Sequence, residues 1–203
     1  MSKIKTYEKI LIGATRMFAQ HGYDGTIMDK LAQECDVNKA SIYYHHKDKA
    51  TLYENALTTL FTPIADAVVK AVESETDPVK KLDAHIKAFA NGSAKNPDFA
   101  SILMREMASG GRNMPTRARE QMLRILFFLN QTLQLGESQA VFKPVNPLIV
   151  HFMIVGTINL FVASIPFRNT LPETDQCNHL QNSSIDFASE QVSTTIIASL
   201  LIK

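Results

Sequence analysis

Within one stretch the chain gathers Lys39, Ser41, Tyr43, Tyr44, His45 and Lys49, with the small Ala40 between the first two. Ammonium, hydroxyl, phenol and imidazole groups are the donors that hold phosphate oxygens and read base edges. The same stretch is poor material for catalysis. The chain contains no phosphate-loop, GxGxxG, GxSxG or HExxH pattern and no paired cysteines, and Gly110-Gly111 lacks the lysine and strand context of a phosphate loop. Adjacent His45 and His46 would diverge by about 100° on a helix end, a poor geometry for one ion. ETDQCNH at 173–179 offers Cys177 and His179 without a second Cys/His pair, so no zinc site is expected there. No catalytic residue, cofactor or metal is expected, and the class favoured is a binding protein.

These donors need a scaffold, and helical spacing supplies it. Between Tyr7 and Gln20, Ile10, Leu11, Ala14 and Phe18 share one face, and Gly22 follows as a left-handed stop. A second helix is predicted from Thr26, whose hydroxyl is expected to cap the amide of Asp29, to Cys35. Asn38 is placed to cap a short third helix through Tyr44, and Asp48 a long fourth through Leu52, Ala56 and Leu60. Turn-rich segments then mark helices over roughly 78–94, 97–109, 115–136, 147–166 and 185–202. The expected fold is all-α with about nine helices. Residues 1–50 form a helix-turn-helix module, whose turn is Asp36-Val37-Asn38, and residues 51–203 form a larger helical domain.

The bulk numbers are compatible but not diagnostic. A formal net charge of +1 over 203 residues announces no basic field, so contact with nucleic acid must come from local placement. Hydrophobic residues at 45% allow a sizeable core. Two distant cysteines and the lack of a charged-then-apolar leader fit a reducing cytoplasm. Residues 148–167 reach the length of a membrane span, but His151, Asn159 and Pro166 interrupt them, and a buried helix of an oligomer is the preferred reading. Cys35, at a helix end, reads as a buried thiol.

Ala14, Phe18, Gly22, Tyr23, Thr26, Leu31, Ala32, Val37, Ile42, Tyr43, His45, Lys49 and Leu52 together resemble, in type and spacing, the DNA-binding signature of TetR-family regulators. The resemblance covers most of the first fifty residues and only the outline thereafter. It implies that Lys39, Ala40 and Ser41 approach base edges, that Thr26, Tyr43, Tyr44, His45 and Lys49 hold the DNA backbone, and that Tyr43 also packs. It further implies a homodimer on an inverted-repeat operator, released by a small molecule. Three positions depart from the signature: Met28 for a β-branched aliphatic, Asn38 for serine, and His46 for phenylalanine. The last puts packing between the third and fourth helices in question and would add a pH-sensitive charge near DNA.

In the larger domain, abundant Phe and Met suit either a core or an adaptable apolar pocket. The polar exceptions His85, Asn130, His151 and Asn159 are the candidates for orienting a ligand, although a second protein side chain would equally satisfy each. The expected effector site comprises His85, Phe89, Met107, Met122, Phe127 and His151. Gly156 and Ala163 on helix 147–166 would allow close backbone approach, Ile185, Val192, Ile196 and Leu200 share one stripe of helix 185–202, and the TetR resemblance implies that these two helices pair with those of a twin subunit as a four-helix bundle. A DNA-binding adaptor that needs no ligand remains an alternative from the same residues.

Overall fold

The computed structural model is built of helices throughout, and it describes residues 5–172 and 183–202. Ten helices are present among the described residues: α1 (Thr6–Gly25), α2 (Met28–Glu34), α3 (Lys39–His46), α4 (Lys49–Glu73), α5 (Pro78–Lys95), α6 (Pro97–Ala108), α7 (Thr116–Ser138), α8 (Pro147–Ala163), α9 (Ile165–Arg168) and α10 (Ile185–Leu200). The extra helix arises because Pro166 has no N–H to continue α8, so the chain re-enters as the single turn of α9. The segment containing Cys177 and His179 lies outside the described residues.

Side-chain caps start five of the helices, among them α3 and α4 where the sequence places them. Asn38 accepts from the Ser41 amide at 2.7 Å, Asp48 from Thr51 at 2.7 Å, and Asp77 from Lys80 at 2.9 Å. Thr26 is the exception. Its hydroxyl donates back to the Gly22 carbonyl at 2.8 Å, and Ile27, without a side-chain cap, precedes α2. The expected cap on Asp29 is therefore replaced by a bond closing the end of α1, where Gly22 has φ 72°.

The long α4 is the spine. It packs on α1, α5 and α7, while α10 lies on α5 and α8. One continuous core runs through Phe18, Leu52, Phe61, Phe89, Phe99 and Ile158. Gly136 is required by close approach, since a Cβ there would overlap the buried ring of Phe142. Among the described residues no helix is long and apolar enough to cross a membrane.

Candidate nucleic-acid interface

The recognition helix α3 is anchored by its inner face. Ile42 and His46 are buried one turn apart, so the opposite face, with Ala40, Tyr43, Tyr44 and the following Lys47, is turned outward. Tyr44 is 86% exposed, and Tyr43 41%, so neither ring serves mainly as core. His45 is half-buried and meets Tyr44 edge-on at 5.2 Å.

His46 is a packing residue. It stacks on Tyr7 of α1 at 4.5 Å, and its Nδ1 lies 3.3 Å from Nδ2 of Asn55 on α4. Burial pushes its pKa below the ordinary imidazole value, so the expectation of a pH-sensitive charge at the surface is corrected: the ring is held neutral and joins three helices.

At the amino end of α3, Lys39 Nζ donates to Asp29 Oδ2 of α2 at 2.9 Å, and this bond raises the lysine pKa. Ser41 turns its hydroxyl to its own cap, 2.9 Å from Asn38 Oδ1. Lys49, in the first turn of α4, sits 4.7 Å above the Tyr23 ring and points to the Asp24 carbonyl at 3.5 Å. Its partial burial lowers its pKa.

Thr26 is buried, its hydroxyl donates to the Gly22 carbonyl and its amide to that of Tyr23 at 3.3 Å, so the expected phosphate contact from Thr26 is corrected: both of its donors close the end of α1. Sequence reasoning missed Lys47, an exposed cation with φ 61° just past α3, whose signal was its place in the His-His-Lys run. It also missed the Asp29–Lys39 and Tyr23–Lys49 pairings, which carry no local signature.

Module and remainder are bound tightly to each other. Arg105 of α6 donates from Nε to the Ala19 carbonyl at 2.9 Å and from Nη2 to that of Gln20 at 2.6 Å. Next to it, Glu106 accepts from the buried Tyr53 hydroxyl of α4 at 2.6 Å.

The expected effector residues divide. His85, Phe89 and His151 are buried and Met122 is partly buried against the core. Met107 and Phe127, in contrast, are about half exposed and stand outside the bundle, which corrects their placement in an interior site. Asn130 is half-buried on α7. On α8 the outward face carries Ile149, Phe152, Met153 and Leu160, and a Cβ on Gly156 would meet nothing within 4 Å. The expected α10 stripe is turned to the chain's own core, with Ile196 and Leu200 buried and Ile185 and Val192 packed partly against it, whereas Phe187, outside that stripe, is exposed. Among the described residues no three His, Cys, Asp or Glu side chains gather into a possible metal site. Cys35 is buried, and burial raises its pKa, as suits an inert thiol.

Comparison with known proteins adds the family context. Residues 10–56 match the family model "Bacterial regulatory proteins, tetR family", and residues 78–184, more than half of the chain, match "Tetracyclin repressor-like, C-terminal domain". The negative transcriptional regulator IcaR of the biofilm operon icaADBC in Staphylococcus aureus (strain Newman) is 39% identical over 54 residues; the match spans 27% of this chain and 29% of that protein's length. The ketosteroid transcriptional regulator KstR2 of Mycobacterium tuberculosis superposes with a TM-score of 0.75 at 14% identity, covering 100% of this chain and 98% of its own. AibR, solved in complex with isovaleryl coenzyme A and operator DNA, gives a TM-score of 0.64 at 19% identity, covering 97% and 98%. At these identities the likeness of the solved structures is one of fold.

Proposed function

The chain belongs to the TetR family of DNA-binding transcriptional regulators, which are not enzymes, and from that premise we propose that it is a homodimeric repressor of an inverted-repeat operator, released by a small, largely apolar effector. The observation that carries this reading is the anchored α3, whose free face presents Ala40, Tyr43 and Tyr44 with Lys39 at its amino end. A helix held this way enters a major groove amino end first, with Lys39, Ala40 and Ser41 nearest the bases. Tyr43, Tyr44, His45 and Lys49 then hold the backbone, joined by Lys47.

Residues 1–50 read DNA in this scheme, and residues 51–203 dimerise and sense. The apolar outward face of α8, with Phe187 of α10, supports a two-fold seam, since so much exposed apolar surface favours a partner. A two-fold dimer pairs naturally with an inverted repeat. Repression is supported by the likeness to IcaR over the helix-turn-helix, and effector control by the fold shared with AibR, which binds a ligand and operator DNA. The lever is α4, whose first turn abuts α3 and whose later turns pack on α5 and α7. An effector releases DNA only through differential affinity for the two spacings of the recognition helices.

Fluorescence anisotropy with an inverted repeat taken from the DNA beside the gene, against a scrambled duplex of equal length, tests the reading. Preference for the repeat at physiological salt is expected, and equal affinity for both overturns it.

A further inference from the structure

Helices α5 and α8 run together in one register. Ser93 Oγ donates to Asn159 Oδ1 at 2.8 Å across an offset of 66 positions, and the same offset relates His85 to His151. Eight residues separate the two pairs on each helix, about 12 Å at the α-helical rise. Between them lie the buried Phe89 of α5 and Ile154 and Ile158 of α8. The seam is thus polar at both ends and apolar along its length.

Polar atoms at both ends of this packed seam have no protein partner. Both ring nitrogens of His85 and Nδ1 of His151 are buried without a protein partner, and so is Nδ2 of Asn159 at the other end. The Asn159 oxygen already takes the Ser93 proton, so what remains there is an N–H donor. Desolvation lowers the pKa of both histidines, that of His85 to about 3 with His151 adding to the shift, so each ring is neutral and keeps one N–H. Buried donors of this kind ordinarily have acceptors. Gly92 of α5 abuts Ile64 of α4, where a Cβ would come within 3.1 Å, so there is little slack between a displaced α5 and the α4 lever.

Building on the effector-controlled reading above, we propose that the α5/α8 seam is the effector site and that it selects a rigid, elongated, largely apolar molecule bearing an accepting oxygen, such as a ketone, at each end. One oxygen meets the His85/His151 pair and the other the Asn159 amide. The apolar middle lies along Phe89, Ile154 and Ile158, parting the two helices and shifting α5 against α4.

Androstanedione, a rigid apolar skeleton with a carbonyl at each end, is the probe, compared by calorimetry on the full chain with the two androstanone mono-ketones. The dione is expected to bind about tenfold more tightly than either mono-ketone, as the loss of one buried hydrogen bond implies. His85→Phe should erase its advantage over one mono-ketone, and Asn159→Leu its advantage over the other. Equal binding of all three, or no binding of the dione, overturns the proposal; that comparison needs no variant, so it stands even if one fails to fold. Operator affinity measured without probe separates the two readings. Ketone selectivity without operator preference sinks the repressor and leaves the site, and the reverse sinks the site alone.

Discussion

The ammonium of Lys39 lies 2.9 Å from the Asp29 carboxylate, so the first residue of the recognition helix is steered by the first turn of the helix before it. Both side chains are substantially exposed, and the pair is worth little to stability. Its consequence is for DNA. Asp29→Asn removes a negative charge from the DNA-facing module and frees Lys39, so affinity for all duplexes should rise, with the slope of log affinity against log salt steeper by about one ion. Titrations between low and physiological salt check this; an unchanged slope would show that Lys39 does not reach the DNA.

Lys49→Ala should act in the opposite sense. Binding to operator and random DNA is expected to weaken similarly, with the salt slope reduced by about one ion. A loss confined to the operator would make Lys49 a reader of bases.

Gly156→Leu places a branched side chain on the open face of α8, where no group of the same chain stands within 4 Å of a Cβ. The fold of the protomer should survive while the proposed dimer separates into monomers or aggregates, as read by light scattering at micromolar concentration. A variant that remains dimeric would move the seam elsewhere.

Tyr53→Phe removes the donor that the buried Glu106 carboxyl holds at 2.6 Å. Stability in urea should fall by about 1–3 kcal/mol, since a buried acceptor loses its partner. An unchanged midpoint would mean that solvent replaces the hydroxyl.

Acid should loosen the protein before its carboxylates titrate. His46, His85 and His151 all have folded pKa values below the ordinary 6.5, so the unfolded chain binds the extra protons. Their contribution is complete above pH 6.5 and is lost as pH falls below it, for His85 down toward about 3. The slope is up to about 1.4 kcal/mol per pH unit for each histidine. Urea midpoints between pH 7 and 5 should decline, and less steeply in His85→Phe; a flat profile in the native protein rules out buried neutral rings.

Much of this protein was legible in the sequence because the decisive signals are local. Asn38 and Asp48 cap their helices from three residues away, Gly22 breaks the helical path of α1 by its own φ three residues before its end, and the apolar spacing around Ile10, Ala14 and Phe18 names the face that is buried. Helix class, helix order and the identity of the recognition helix all rest on contacts within one or two turns. What the tertiary structure decided depends on distance in space. Thr26 could cap forward or bond backward, and only the packed end of α1 sent its hydroxyl to Gly22. Nothing local distinguishes His46, a buried wedge between three helices, from the partly exposed His45 beside it. Phe127 and Phe89 are alike as residues, but one faces out and the other in because the two helices that carry them pack with different faces on α4. The register that sets Ser93 on Asn159 and His85 beside His151 joins residues 66 positions apart, and the packing of α5 on α8 fixes it, not any preference of either segment alone.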